Sequence, residues 1–291
     1  RGLGDVYKRQ GIGDNTSKVT KYDNPNRTLT DPYEGQQLGE IWGYVVDGYF
    51  KTDEEARNYK VDQSFVNQMI NASALDNGLH AGDLKFVDLD GNNKIEQTTS
   101  ANDRKDMKVI GNSLPRYNYN FGISADWYGI DFSVLFQGIG KQNWYPGAET
   151  SMFWGPYSRP YASFIPSDFM SQVWSEENTD AYFPRPRGYV ALGSNRELAV
   201  VNTKYLQNLA YCRLKNLSIG YTLPDKWLSK IGFEKIRVYF SSENLLTFTK
   251  LHSDYIDPEQ ASASNSWKTS KSDANIYPWA KTYSFGVDIT F

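Results

Sequence analysis

From Tyr117 to Trp127 the chain alternates residue by residue. Tyr117, Tyr119, Phe121, Ile123, Ala125 and Trp127 are interleaved with Asn118, Asn120, Gly122, Ser124 and Asp126. Side chains two apart share one face of a strand, so this segment predicts a strand with one apolar and one polar face. After Tyr128-Gly129 the pattern restarts, with Ile130, Phe132, Val134 and Phe136 set against Asp131, Ser133, Leu135 and Gln137. Together they predict a hairpin on a two-residue turn. Each arm is close to the roughly 9–11 residues with which a tilted strand crosses a bilayer. The last residues repeat the pattern: Tyr283, Phe285, Val287, Ile289 and Phe291 share one face, and Ser284, Gly286, Asp288 and Thr290 the other.

Further strands are expected at 212–223, where Leu217, Ile219, Tyr221 and Leu223 share a face, and at 236–248; 40–50 is a weaker candidate. The connections alternate in length: long at 51–116, 139–204 and 250–277, short at 128–129 and 224–235. Up-and-down outer-membrane barrels join their strands this way, with short periplasmic turns and long extracellular loops. A soluble sandwich would space its turns more evenly, roughly every 8–12 residues. Counting back from a periplasmic Phe291 puts Tyr128-Gly129 on the periplasmic side, as a barrel requires. The alternating strand closed by a terminal aromatic is an ending typical of such barrels. Aromatic usage is heavy, at 15 Phe, 8 Trp and 21 Tyr, and Tyr117, Tyr119, Trp127, Tyr128, Tyr283 and Phe291 fall near strand ends. Interfacial girdles use aromatics in that position. No run of roughly 18 apolar residues offers a membrane-spanning helix.

Other chemistry is poorly provided for. Thirty-one basic against 34 acidic side chains leave a formal charge of -3, which is no footprint for nucleic acid. The single cysteine, Cys212, excludes an internal disulfide framework and a cysteine-based zinc site, and His80 and His252 are the only histidines. There is no Walker motif, dinucleotide fingerprint or nucleophile elbow, and no carboxylate pair is nominated for glycoside hydrolysis. No enzymatic activity is expected.

Two stretches are candidate sites. Asp88, Asp90, Asn92, Lys94 and Glu96 place oxygen ligands at alternate positions, as a calcium loop does, with Lys94 contributing through its carbonyl. The pattern departs from an EF-hand, since Asn93 replaces the turn glycine and Thr99 stands where a bidentate Glu would sit. A structural Ca2+ is one expectation; an Asx-rich turn without metal is the other. The second stretch, 139–204, carries Trp144, Tyr145, Trp154, Tyr157 and Trp174 with Phe153, Tyr161, Phe164, Phe169, Tyr182, Phe183 and Tyr189. Exposed rings there would stack on sugars or dock a lid; the alternative is that they pack the loop's own core.

Several segments carry a resemblance: Gly43-Tyr44-Val45-Val46-Asp47-Gly48-Tyr49-Phe50, the run from Gly82 to Asn92, and Leu214-Lys215-Asn216-Leu217-Ser218-Ile219-Gly220-Tyr221-Thr222-Leu223-Pro224. Arg237-Val238-Tyr239-Phe240, the run from Asn244 to Lys250, Asp257-Pro258-Glu259 and the terminal strand follow in order. Over roughly residues 35–291 the chain resembles the C-terminal part of the SusC/RagA family of TonB-dependent outer-membrane transporters. The resemblance implies an all-β fold, a transmembrane antiparallel β-barrel of about 22 strands with a plug. About 220 residues of strand would be needed for that, so this chain is read as a truncated portion of about six or seven strands, its barrel incomplete. The plug and TonB-contacting segment would lie in the missing part, and open strand edges cannot be satisfied by lipid. It also implies partners: a SusD-like surface lipoprotein as lid, the TonB complex, outer-membrane lipid, and a glycan or peptide substrate. The expected function is uptake of bulky nutrients, with oligosaccharides in first place. A soluble or surface-displayed all-β glycan-binding module is the alternative. Finally, Asp5 to Gln10 resemble a translated sequencing adaptor, so residues 1–10 are set apart from the barrel portion at 11–291.

Overall fold

A computed structural model describes residues 5–67, 78–158, 164–186, 188–193, 195–229, 232–261, 271–272 and 277–291. Strand β1 (Val6–Gly13) is followed by four short strands, β2 (Glu40–Tyr44), β3 (Val46–Tyr49), β4 (Leu84–Phe86) and β5 (Met107–Asn112). Then come the long β6 (Arg116–Trp127) and β7 (Ile130–Lys141), and the short β8 (Asn143–Pro146) and β9 (Gln207–Asn208). Long β10 (Tyr211–Thr222) and β11 (Lys235–Thr249), two-residue β12 (Lys271–Ser272) and β13 (Thr282–Thr290) complete the order. One antiparallel sheet runs β1-β6-β7-β10-β11-β13. From β6 onward each strand lies beside the long strand nearest it in the chain, so the sheet is an open, up-and-down wall.

The alternation sets the register. Phe121 lies opposite Phe136, their rings stacked 4.7 Å apart. Phe132 lies opposite Ile219, Ile219 opposite Phe240, and Phe240 opposite Phe285. Because pleating sends alternate residues to opposite faces, these pairs build one apolar face across five strands. Among the described residues nothing covers it: Ile219 is 43%, Val238 42% and Val287 58% exposed. The other face is polar and small. Ser124, Ser133, Ser218, Ser241 and Ser284 form a single cross-strand row. Beside it Arg237 spans strands, bonding Asp131 (Nη2 to Oδ1, 2.6 Å) and Asp288 (Nη1 to Oδ2, 3.2 Å). Its path crosses Gly220, where a Cβ would come within 2.4 Å of the Asp131 carboxylate.

Two local devices shape the wall. Tyr128 (φ 50°) and Gly129 (φ 86°) both have positive φ, the signature of the type I′ turn that matches strand twist. A bulge at Lys215 shifts the β10 register between Leu214 and Asn216. It lets Leu214 and Leu217, an odd number of residues apart, both join the apolar face.

The long connections all leave the wall at the end away from Tyr128-Gly129, and the main hydrophobic core lies in them. Tyr44, Leu84, Phe86, Trp144, Phe153 and Tyr205 belong to it, and no residue of β6, β7, β10, β11 or β13 does. The weaker strand candidate at 40–50 belongs to this cap. It splits into β2, paired with β5, and β3, paired with β4, and stands outside the wall. Among the described residues no helix is long and apolar enough to cross a membrane. Most of β1 falls in the segment set apart from the barrel portion, and it lies along the outer edge of β6.

Candidate functional site

The cap carries both candidate stretches. Trp144, Tyr145, Trp154 and Tyr157 are at most 1% exposed and Trp174 is 8% exposed. Trp154 Nε1 donates to the Gly147 carbonyl (2.9 Å), Tyr145 Oη donates to that of Leu198 (2.8 Å), and the Tyr157 hydroxyl bonds the Pro184 carbonyl. Phe183 stacks on Phe169 (4.7 Å) and on Tyr157 (5.8 Å). These five rings pack into the cap's core, the arrangement that the alternative reading of this stretch describes. Tyr161 lies outside the described residues, as does the Tyr189 side chain. Asn202, which the sequence reading passed over, organises the core's polar groups. Its Nδ2 donates to Tyr145 Oη (2.9 Å) and the Val200 carbonyl (2.9 Å), and its Oδ1 accepts from the Tyr205 amide (3.1 Å).

The acidic loop folds differently from its template. Asp88 accepts the amides of Gly91 and Asn93 (2.7 Å each), and Asp90 accepts that of Asn92 (3.1 Å). Asn93 takes φ 61°, a left-handed conformation that asparagine tolerates better than most residues, so it serves where a glycine was expected. Asn92 and Glu96 hydrogen-bond to one another (3.2 Å), Lys94 and Lys105 sit 3.8 and 3.5 Å from Glu96, and the Asn92 Oδ1 accepts the Lys94 amide. Carboxylate oxygens instead converge from Asp88, Asp90 and Asp106, all within 4.8 Å of one another. Asp106, ten residues beyond Glu96, has no place in an alternating-ligand template, which is why the sequence did not offer it. It is fully buried and accepts the amides of Leu89 (2.9 Å) and Glu96 (2.7 Å). Burial, helped by the charges of Asp90 and Asp88, raises its pKa above the usual carboxylate value. Asp88 is also desolvated, but the amides of Asn93 and Gly91 outweigh that and lower its pKa.

The terminal strand residues Tyr283, Phe285, Val287, Ile289 and Phe291 are all exposed and line the apolar side of β13, whose outer edge has no strand beside it among the described residues. Phe291 leans on Phe233 (5.2 Å) at the turn end.

No protein-family model matches the chain. It is 28% identical over 264 residues to TonB-dependent receptor P3 of Formosa agariphila, covering 89% of this chain and 22% of that one. TonB-dependent receptor P39 of the same organism is 26% identical over 283 residues, 89% of this chain and 25% of the relative. This chain is a homologue of the TonB-dependent receptors. Among solved structures, the RagAB peptide importer in its open-open state superimposes on 99% of the chain with a TM-score of 0.61 and 20% identity, and the chain covers 27% of that structure. The closed-closed state gives a TM-score of 0.57 at 21% identity, over 99% of this chain and 27% of that one. The TonB-dependent receptor homology and the SusC/RagA-type fold expected from the sequence are thereby borne out, and the chain spans about a quarter of its curated relatives' length.

Proposed function

We propose that the chain forms part of the barrel wall and outer loops of a TonB-driven outer-membrane importer for bulky nutrients, working with a SusD-like surface lipoprotein. One observation carries this reading: the apolar face built in register across five strands has no layer over it among the described residues. Lipid is the solvent such a face fits, with polar residues alternating toward a lumen. A soluble glycan-binding module would leave that face in water. The oligosaccharide expectation came with the family resemblance, and five of the loop rings that could have stacked on sugars, Trp144, Tyr145, Trp154, Tyr157 and Trp174, are buried. Peptide, the substrate named for RagAB, is the cargo we assign in its place. The test is disruption of the gene in the bacterium that encodes it. Uptake of labelled peptides should fall to the level of a TonB-deficient strain, with the protein recovered from the outer-membrane fraction. Intact peptide uptake with lost glycan uptake would return the oligosaccharide reading, and recovery from the soluble fraction would overturn the barrel.

The acidic loop supports a second reading, a structural calcium ion held by Asp88, Asp90 and Asp106, whose oxygens already converge. Three carboxylates this close repel one another, and a hard divalent cation relieves that repulsion. Because Asp106 keeps its proton to higher pH folded than unfolded, its contribution to stability declines as pH rises from 3.8 to its raised pKa. Bound calcium would oppose that decline. Calorimetric titration should find one ion per chain, with affinity at least about tenfold weaker in Asp90→Asn. Absence of both binding heat and any shift in melting temperature would reject the metal.

A further inference from the structure

A cavity of about 80 Å³ opens on the cap between residues 152–153, 166–172 and 252–255. Its floor is aromatic and buried, made by Phe153, Phe169 and Phe183. Most polar groups around it are already committed. His252 Nε2 and Gln172 Oε1 are 2.7 Å apart, the His252 ring stacks on Tyr182 with centroids at 3.5 Å, and Ser253 Oγ donates to the Met152 carbonyl (2.8 Å). Two rim side chains are not. The carboxylates of Asp168 and Asp254 are exposed and make no hydrogen bond or ion pair among the described residues. Among the described residues no lysine or arginine lines the opening. Tyr255, edge-on to Phe164 at 4.8 Å, completes the mouth.

An apolar floor below an anionic, aromatic rim selects an occupant with an aliphatic stem ending in a cation. An anionic group would be repelled. A sugar would seek several hydroxyl and amide partners at once, whereas Ser253 Oγ is held by the Met152 carbonyl and Gln172 Oε1 and His252 Nε2 by one another. We infer that this cavity is a subsite for a basic side chain, lysine or arginine, of a peptide. The stem lies on Phe153, Phe169 and Phe183, and the ammonium or guanidinium group meets Asp168 and Asp254. The subsite rests on the peptide reading above and refines it. Because both carboxylates are exposed, the preference is moderate and falls with ionic strength.

The experiment uses the full-length protein that contains these residues, in detergent micelles at low salt, with an eight-residue peptide of alternating lysine and serine. The comparison peptide has each lysine acetylated on Nζ, which removes the charge and keeps the stem. The free peptide should bind about tenfold more tightly than the acetylated one. The double variant Asp168→Asn/Asp254→Asn, nearly isosteric and at exposed positions, should bind both alike. Glu176→Gln/Glu177→Gln removes the same charge from exposed positions off the cavity and should keep the preference. Equal binding of the two peptides by the unaltered chain overturns the subsite and leaves the peptide reading standing. So does a preference that survives in the Asp168/Asp254 variant or disappears in the Glu176/Glu177 variant. Failure of both peptides to bind at all overturns the peptide reading, and the subsite with it.

Discussion

At the residue scale the cap is fastened to the wall by one buried cation. Arg213, 2% exposed, bonds Asp257 Oδ1 (2.6 Å), Glu259 Oε2 (2.6 Å) and Thr247 Oγ1 (3.0 Å). Asp257 also accepts the amides of Glu259 (2.9 Å) and Trp279 (3.1 Å), so one carboxylate orders the loop on both sides. Lys215, displaced by the bulge, adds a bond to Glu259 (3.0 Å) and lies 5.4 Å from the Trp279 ring centroid. Removing one member of a buried pair strands its partner's charge at a cost of about 3–5 kcal/mol. Asp257→Ala leaves Arg213 with Glu259 as its remaining carboxylate partner, so the unfolding free energy should fall by less than that, about 1–3 kcal/mol, in denaturant titrations of the full-length protein in detergent. A loss below about 1 kcal/mol would mean that water satisfies Arg213 instead. Asp257-Pro258-Glu259 stood out in the sequence only through its resemblance. Its partner lies more than forty residues away, and no local period connects the two.

The elements divide into those the alternation made legible and those it did not. The strands at 116–127, 130–141, 211–222, 235–249 and 282–290 were readable because each carries a period of two over most of its length. The β6–β7 turn was readable by its two-residue length. Its conformation explains the demand on Gly129, where φ is 86° and an added Cβ would meet the Thr222 carbonyl oxygen at 2.7 Å. Gly129→Ala should destabilise the hairpin by at least about 1–2 kcal/mol. Tyr128→Asn should act in the opposite direction, because asparagine tolerates positive φ better than tyrosine does. Urea titration of both variants checks the pair, and a shared sign would exclude turn strain as the cause. The bulge at Lys215 was not legible, since an extra residue in a strand leaves no compositional mark. The cap strands were not legible either. Only the stretch of β2 and β3 was offered, as one weak candidate at 40–50; two to six residues are too few to show a period, and their partners lie in distant loops.

For the whole molecule, the decisive property is that the two faces of the wall differ, one apolar and left uncovered by the described residues, the other polar and small. Ring content could not separate the buried cap aromatics from the exposed wall aromatics, because both are simply tyrosine, tryptophan and phenylalanine in the sequence. Position within an alternating strand separates them: Trp127, Tyr283 and Phe285 remain exposed while Trp144 and Trp154 vanish into a core. Strand β1 breaks the pattern, placing Lys8 opposite Ile123 and Gln10 opposite Phe121 on the apolar side. An open strand edge accepts almost any extended segment, so that pairing does not make β1 a lipid-fitted part of the wall. The solvent assignment has a direct test in two strand neighbours of β11. Val238 lies on the apolar side, opposite Val287 and Tyr221, and Ser241 lies in the serine row. Lysine at a lipid-facing position near the bilayer midplane costs about 2–4 kcal/mol, whereas a lumen-facing lysine keeps its water. Val238→Lys should therefore destabilise the vesicle-inserted protein by about that amount and Ser241→Lys by much less, measured by guanidinium titration. In a soluble protein the ranking would reverse, because Val238 would already be wet and Ser241 would face a packed layer. Equal costs at the two positions would deny the wall its two solvents and remove the main support for a membrane barrel.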